Sequence, residues 1–359
     1  MRTFTLKFFS LLVVSTLALA ACGGASTAAP TAAPTAAAPT VAAAATTKPF
    51  RIGLVTDVGK IDDHGFLQAS WEGVQMAQTQ LGAQVKYIQT TDPKDFDKNI
   101  AQFADAGYDV VVCAGFGLVD ATMAAAKKYP NVKFLGIAVS YSDALPPNLI
   151  TLNHPEDQAG FLGGALAALM SKSGILGSVQ ATDAVPAVWR YGEGFRAGAK
   201  SIKPDIQINV IYHSDVGFDK TFNDPEWGKT TAISMIAKGA DVIFAGASDT
   251  GNGALEGAAQ KGTYAIGMDV DAYEILPDVR PVMLSSSVKL IRDDSFKILQ
   301  AAMQGQWTSG NVMGQVGLAP YHDLDSKVSA DIKAKMDTIL KGLRDGTLKT
   351  NVPPTKPAS

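Results

Sequence analysis

The feature that most constrains this chain is an alternation between short apolar segments and longer segments whose apolar residues recur at helical spacing, from residue 50 to residue 304. Continuous apolar segments predict strands that are buried on both faces. Amphipathic helices between such strands predict a parallel sheet that is covered on both sides. The predicted strands are Phe50–Thr56, Val85–Gln89, Tyr108–Cys113, Phe134–Val139, Ile175–Gln180, Ile206–Tyr212, Val242–Ala245, Tyr264–Met268 and Val282–Val288.

The alternation occurs twice, and a crossing segment near Leu152–Pro155 separates the two rounds. A chain of 359 residues is long enough for two domains, because single hydrophobic cores stop growing at roughly 250–300 residues. The predicted fold class is therefore α/β, with two doubly wound halves. The predicted helices are Phe66–Leu81, Asp95–Ala106, Ala121–Tyr129, Asp157–Ser171, Tyr191–Ser201, Lys229–Lys238, Asn252–Gln260 and Asp293–Gln304.

Residues 1–21 have the composition of a secretory signal peptide. Arg2 and Lys7 give a positive start. The apolar run Phe8–Ala21 is too short to span a bilayer, which needs about 20 apolar residues. The sequence Leu19-Ala20-Ala21-Cys22-Gly23 resembles a bacterial lipobox. We therefore expect cleavage before Cys22 and lipidation of its thiol, which would anchor the protein to the outer face of a membrane.

A segment rich in Ala, Thr and Pro follows, and we assign residues 22–48 to a linker. Gly23–Thr47 carries no charge and repeats TAAP at Thr27–Pro30 and Thr31–Pro34. This composition cannot bury enough apolar surface to offset its ordering entropy, and its regularly spaced prolines favour extended conformations. We expect a tether that holds a folded part away from the membrane.

Charge and composition argue against several classes of function. The net charge of −3, from 31 Lys+Arg and 34 Asp+Glu, gives no electrostatic basis for binding nucleic acid. Cys22 and Cys113 are too few for a disulfide framework or a Cys-rich metal site. The four histidines show no paired spacing, and the sequence has no GxSxG, Walker A or GxGxxG motif. We therefore expect no metal, no cofactor and no enzymatic activity.

Polar residues follow most of the predicted strands. Asp57 follows the first strand, whereas Asp269 and Lys289 follow two strands of the second half. Ligands of open α/β sheets bind beyond the carboxyl ends of strands, and clefts between domains are common ligand sites. These residues are thus expected to line one cleft between the halves. Other strand-end residues are Thr56, Gly59, Asp62, Asp63, Phe66, Gly115, Phe116, Asp120, Gly246, Ser248, Asp249, Gly251, Asn252, Asp271, Ser285, Ser286 and Ser287.

Seven segments, in this order along the chain, carry a family resemblance. They are TDVGKIDDHGF (Thr56–Phe66), AGFGLVDA (Ala114–Ala121), FLGGALAALMSKSGILG (Phe161–Gly177), GEGFRAGAK (Gly192–Lys200), KGADVIFAGASDTGNGALE (Lys238–Glu256), AIGMDVDAY (Ala265–Tyr273) and SSVKL (Ser286–Leu290). Together they resemble the basic membrane lipoprotein family, which includes the PnrA-like purine-nucleoside receptors of ABC transporters. The resemblance covers Phe50 to about Gly310.

The resemblance implies the type I periplasmic-binding fold, in which two lobes are joined by three crossing strands. These crossings are expected near Leu152, Ser285 and Leu318. The implied lobes are residues 49–152 plus 286–318 and residues 153–285 plus 319–350, with a tail at residues 351–359.

The resemblance also implies residues that contact a nucleobase. Phe66 matches the aromatic residue that stacks on the base, although a helix-starting Phe packed in the core would give the same pattern. Asp120 matches an acid that accepts from purine N–H groups, and a helix N-cap is its alternative role. Phe222, chosen over Trp227, would form the second face of a base sandwich. The family commonly has Ser-Phe-Asn where this chain has Gly65-Phe66-Leu67, which removes a polar partner near the base.

Two further residues match the part of the family site that holds the sugar. Asp269 would accept from the ribose hydroxyls, because a carboxylate can take two vicinal O–H donors. Lys289 would donate to the same sugar. A turn-capping Asp and a surface Lys are the alternative interpretations. Gly246 would allow close approach of the backbone or a simple turn, and Asp57 completes the candidate set.

The function implied is a lipid-anchored, extracytoplasmic solute-binding protein of an ABC importer. It would capture a nucleoside, with a purine favoured, and deliver it to a permease with cytoplasmic ATPase subunits, and we expect a monomer. Two alternatives stay open. Asp57, Asp62 and Asp63 resemble the calcium-binding acid cluster of nucleoside hydrolases, but Val55 stands where the first acid belongs. The other alternative is a sensory module with a different small ligand.

Overall fold

The computed structural model describes residues 48–246 and 248–357. The predicted signal peptide, Cys22 and the linker up to Thr47 lie outside the described residues. Among the helices in the described part of the chain, none combines the length and the apolar character that crossing a membrane requires.

Twelve strands in the described residues form two six-stranded sheets. They are β1 Arg51–Val58, β2 Gln84–Thr90, β3 Val110–Ala114, β4 Lys133–Ile137, β5 Leu149–Asn153, β6 Ile175–Gln180, β7 Gln207–Tyr212, β8 Val242–Ala245, β9 Tyr264–Asp269, β10 Met283–Lys289, β11 Gly310–Met313 and β12 Val316–Leu318. The strand order is β11-β5-β4-β3-β1-β2 in the first sheet and β12-β10-β9-β8-β6-β7 in the second.

Helices accompany both sheets. They are α1 Phe66–Leu81, α2 Phe96–Asp105, α3 Val119–Lys128, α4 Glu156–Met170, α5 Pro186–Ile202, α6 Phe218–Thr221, α7 Pro225–Ala237, α8 Ser248–Lys261, α9 Ala272–Ile275, α10 Ile291–Met303 and α11 Ala330–Asp345. Helices α1 and α10 pack together on the first lobe, and α4, α5 and α11 pack on the second.

Strands β1, β3, β4 and β5 of the first sheet are mostly buried, as continuous apolar segments predict, whereas the edge strands β2 and β11 are largely exposed. Along β1, Ile52 and Leu54 belong to one hydrophobic cluster, whereas Val55 belongs to a cluster on the other face. Every strand pair of this sheet is parallel. The second sheet is also parallel except for β12, which runs antiparallel to β10. The α/β fold with two mostly parallel sheets is therefore confirmed.

The chain crosses between the lobes three times, at β5–α4, β10–α10 and β11–β12. The lobe boundaries differ from the expected ones at two places. Residues 286–289 lie in the second sheet because β10 is hydrogen-bonded along its length to β9. Residues 316–318 also lie there, because β12 pairs with β10. The second and third crossings are thus at residues 289–291 and 313–316.

The three crossing segments are hydrogen-bonded to one another. The Gly314 amide donates to the Asn153 carbonyl at 2.7 Å, and the Leu290 amide donates to the Gln315 carbonyl at 2.9 Å. The Gln315 amide also donates to the Asp294 carboxylate at 2.8 Å. These bonds hold the strands that connect the lobes as one unit.

Candidate functional site

A buried ion pair lies at the carboxyl edge of the second sheet. Asp269 ends β9 and Lys289 ends the neighbouring strand β10, so the register of two parallel strands brings them together. The Lys289 Nζ lies 2.8 Å from the Asp269 Oδ1, and each residue is only 8% exposed. The Tyr191 hydroxyl, from α5, donates to the same oxygen at 3.1 Å. Both residues therefore belong to one buried polar group.

Burial and neighbouring charge act in opposite directions on this group. Desolvation alone would lower the pKa of Lys289, but the carboxylates of Asp269 and Glu156 outweigh it and leave that pKa raised. Glu156 is the first residue of α4 and is buried. Desolvation raises its pKa, although Lys289 acts to lower it. The ammonium of Lys289 is therefore charged at neutral pH and sits among acids.

The first lobe contributes the ring of Phe66 to this group. The Lys289 Nζ lies 5.4 Å from the centroid of the Phe66 ring and 5.5 Å from that of Tyr191, within the range of a cation–π contact. Phe66 is half-buried at the start of α1 and also packs on the first-lobe core. The structure thus brings Phe66, Asp269 and Lys289 together from two lobes.

The residue after Phe66 points into the core. Leu67 is 6% exposed and belongs to the hydrophobic cluster of α1 and the first sheet. Its Cδ1 fills the space in front of Gly59, where an added Cβ would lie 2.8 Å from it. The leucine at this position packs in the first-lobe core and places no hydrogen-bonding group beside the ring of Phe66.

Asp57, which the sequence added to the candidate set, contacts the loop that follows β3. The Asp57 carboxylate accepts from the amides of Val58 and Gly117, each at 2.7 Å. Burial raises the pKa of Asp57 despite these two bonds. Asp57 therefore ties the loop to β1, and its oxygens are engaged by its own lobe.

The other two candidates for contact with the base, Asp120 and Phe222, lie in different lobes. Asp120 is exposed in the first turn of α3, whose N-cap position is taken by Leu118. Phe222 is half-buried in the second lobe, and its ring lies 6.1 Å from that of Phe116 in the first lobe, with planes inclined by 35°. The rings of Phe116 and Phe222 thus form an aromatic pair across the two lobes.

Sequence patterns assigned no site role to three residues that lie beside the candidates, Phe116, Tyr191 and Glu156. Phe116 was recognised only as a strand-end residue, although an aromatic side chain just after a buried strand is itself a signal of a cleft. Tyr191 lies in an amphipathic helix, where its ring matches a core residue. Glu156 directly follows the predicted crossing segment. An acidic residue at a connection between lobes is a signal that could have marked it as a candidate.

A cavity of about 430 Å³ opens beside the ion pair, within the range of small-molecule sites. The first lobe supplies its lining from the starts of α1 and α10, and the second lobe from the ends of β9, β10 and β12. Asp269 and Lys289 both line it. Gly246 lines a smaller neighbouring pocket with His64 and Asp269. Asp57, Phe66, Asp120 and Phe222 do not line either of these two cavities, and Phe66 reaches the site through its contact with Lys289.

One grouping of potential metal ligands occurs among the described residues. Oxygen or nitrogen atoms of Asp271, Glu274 and His322 lie within 4.8 Å of one another. The His322 Nε2 lies 2.7 Å from the Asp271 Oδ2, and the ring of His322 stacks on Tyr273 with centroids 3.9 Å apart. These contacts account for the position of His322 without an ion.

The amino-acid sequence matches a known protein family. Residues 50–319 match the family described as ABC transporter substrate-binding protein PnrA-like. An ABC transporter nucleoside-binding protein of Lactococcus lactis is 30% identical over 215 residues, which cover 58% of each chain. A purine-binding protein of Brucella abortus is 28% identical over 267 residues, which cover 73% of this chain and 71% of the relative.

A solved structure shows the same fold. An ABC transporter solute-binding protein of Aeropyrum pernix K1 superposes with a TM-score of 0.74 at 20% identity, covering 86% of this chain and 94% of the other. The two-sheet fold of this chain agrees with the family match over residues 50–319. The chain therefore belongs to the PnrA-like family of ABC transporter substrate-binding proteins.

Proposed function

We propose that this protein captures a purine nucleoside between its lobes and delivers it to a permease driven by cytoplasmic ATPase subunits. The observation that carries the proposal is the meeting of Phe66 from the first lobe with Asp269 and Lys289 from the second. A ligand that contacts all three groups would link the lobes, which is how substrate-binding domains close around a solute. The nucleoside-binding and purine-binding relatives support the same ligand class.

The chemistry of the ion pair suits the sugar of a nucleoside. In the described residues, Lys289 and Tyr191 both contact the Oδ1 of Asp269, which leaves Oδ2 available to a ligand hydroxyl. Lys289 carries further N–H donors and is held in place by Asp269. A carboxylate acceptor beside an ammonium donor can bind two vicinal hydroxyl groups of a ribose.

Aromatic rings supply the surfaces for the base. Phe66 lies beside the ion pair, and the Phe116–Phe222 pair brings a ring from each lobe. Stacking on an aromatic side chain contributes roughly 1–3 kcal/mol per base. Leu67 is buried and offers the base no hydrogen bond. We therefore propose that recognition of the base depends mainly on ring contacts. We also propose that this protein distinguishes between purines less strongly than a family member with Asn at this position.

Isothermal calorimetry on residues 48–359 tests the nucleoside. This part forms a compact unit with its own hydrophobic clusters. We expect binding of inosine, guanosine and adenosine, and a roughly 10-fold to 100-fold weaker affinity for Phe66→Ala, from the loss of stacking. Tyr87→Ala, which removes an exposed ring on β2, is the matched control and should bind as the parent does. Absence of heat with every nucleoside would remove the proposal.

The membrane anchor is tested separately on the full-length chain. We propose that Cys22 is acylated after removal of residues 1–21, so that the protein is extracytoplasmic and held at the cell membrane. In bacterial cells the parent should be recovered in the membrane fraction and carry an acyl mass at its N-terminal peptide. Cys22→Ala should be recovered outside that fraction. Equal distribution of the two proteins would contradict the anchor.

A further inference from the structure

Asp63 lies between two helices that belong to different lobes. In the first lobe its carboxylate accepts from the amides of Gly65 at 2.9 Å, Leu67 at 3.2 Å and Gln68 at 3.0 Å. These bonds satisfy the free N–H groups at the start of α1. Asp63 is only 5% exposed. The carboxylate is thus fixed in position by its own lobe.

The second lobe adds a donor to the same residue. Ser248, the first residue of α8, donates its hydroxyl to the Asp63 Oδ2 at 3.1 Å. Asn252 lies one turn further along the same face of α8, and its side-chain amide donates to the Asp63 main-chain carbonyl at 3.5 Å. The exposed pair Lys60–Asp249, at 3.9 Å, lies beside these contacts. Two side chains of α8 therefore hydrogen-bond to one residue of the opposite lobe.

The contacts of α8 add nothing to the capping of α1. Three main-chain amides already satisfy the Asp63 carboxylate from within the first lobe. The hydroxyl of Ser248 reaches it only when the lobes are together. A hydrogen bond to a carboxylate is stronger than one between neutral groups, and the start of each helix also favours a negative charge. The gain from these contacts consequently favours the closed arrangement over an open one.

We propose that Asp63, Ser248 and Asn252 form an interlobe latch that holds the cleft closed and slows release of the bound solute. Asp63 is the fixed acceptor, and Ser248 and Asn252 are positioning residues on the moving lobe. The latch lies at the rim of the cleft, where His64 and Gly65, the residues that follow Asp63, line the cavity beside the ion pair. Its effect on solute release rests on the proposed function, whereas its effect on lobe closure does not.

The distance between the lobes tests the latch without any ligand. Spin labels on Lys98→Cys in α2 and Lys238→Cys after α7, both exposed positions, report the separation by pulsed electron resonance on residues 48–359. Without ligand, we expect a measurable short-distance population in the labelled parent. The double variant Ser248→Ala and Asn252→Ala should shift a large share of these molecules to the longer distance of the open arrangement.

Two comparisons make the result decisive. Gln260→Ala changes an exposed residue at the far end of the same helix and should keep the parent distribution. Identical distributions for the parent and the double variant would overturn the latch. With inosine bound, the double variant should release it about 10-fold faster than the parent, the loss that a hydrogen bond to a charged group gives. If no nucleoside binds the parent, the proposed function fails, and the distance distributions still decide the latch.

Discussion

At the scale of single residues, the site depends on charges that are buried together. Lys289, Asp269 and Glu156 are each less than 10% exposed, so one cation and two acids are largely removed from water. Removing one member leaves the others without compensation, which costs more than the pair contributes. The same residues that would recognise the sugar are consequently expected to determine the stability of the second lobe.

Replacing the cation tests this coupling. Lys289→Met keeps most of the side-chain volume but leaves Asp269 and Glu156 buried without their cation. We expect the free energy of unfolding in urea to fall by about 3–5 kcal/mol. Lys335→Met, at an exposed position on α11, should change it by less than about 0.5 kcal/mol. A loss of similar size in both variants would show that the ion pair is not stabilising the fold.

Glu156 gives a prediction about pH. Burial raises its pKa above the usual 4.5, so the folded protein binds this proton more tightly than the unfolded chain does. The contribution of Glu156 to stability therefore falls as the pH rises from 4.5 through the folded-state value. Glu156→Gln lacks this ionisation, so its unfolding free energy relative to the parent should increase across that window. A relative decrease would mean that Lys289 makes the charged form of Glu156 the favoured one.

The sequence predicted some of these residues because the rule that ligands bind beyond strand ends is general. Asp269 and Lys289 directly end two neighbouring strands, and their meeting follows from that rule. Tyr191 could not be predicted to join them, because its contact with Asp269 depends on how α5 packs on the second sheet. The engagement of Asp57 by Gly117 likewise depends on the path of a loop.

At the scale of elements, the close approach of α4 and α5 depends on glycine. Gly160 and Gly164 on α4, with Gly194 and Gly198 on α5, each face main-chain atoms of the opposite helix. The four positions lie one turn apart in each helix. A side chain at any of them would separate the two helices that carry Glu156 and Tyr191.

A single methyl group tests the helix contact. Gly164→Ala would place a Cβ against the main-chain carbonyl of Phe195, so the helices must shift. We expect the free energy of unfolding to fall by about 1–3 kcal/mol, measured by chemical denaturation. Lys200→Ala on the exposed side of α5 is the control and should stay near the parent. An unchanged stability for Gly164→Ala would contradict the close packing.

Helices and buried strands were predictable because their apolar periodicity is strong, and α1 begins and ends at the predicted residues. Strands β11 and β12 were not predicted. β11 is only four residues long and largely exposed, and β12 has three residues. The sequence assigns the end of β5 to the crossing segment at Leu152–Pro155, because the strand runs directly into that segment. Short strands of this kind form through their neighbours and leave little pattern in the sequence.

At the scale of the whole molecule, the connection between the lobes is a small hydrogen-bonded unit. His154 lies on the first crossing, and Asp294 lies just after the second crossing. The His154 Nε2 is 3.4 Å from the Asp294 carboxylate. Gln315 on the third crossing donates to the same carboxylate. Desolvation lowers the pKa of His154, so the imidazole is neutral near physiological pH. Residues of all three crossings meet at the Asp294 carboxylate.

Gly314 tests the connection between the lobes. A Cβ at this position would overlap His154 and lie 2.7 Å from the Asp294 Oδ2. Gly314→Ala should therefore displace the crossing segments and weaken nucleoside binding about 10-fold, although Gly314 does not line the cavity beside the ion pair. This is the loss expected when closure costs about 1.4 kcal/mol more. Calorimetry measures the change, and unaltered affinity would show that the crossings tolerate the shift.

A crystal structure of residues 48–359 with inosine would show directly whether the nucleoside binds at the ion pair. We expect electron density for the nucleoside in the cleft between the lobes. The ribose hydroxyls should lie within hydrogen-bonding distance of Asp269 and Lys289, and the base should contact the ring of Phe66. A nucleoside bound away from this ion pair, or a cleft that stays empty at saturating inosine, would contradict this expectation.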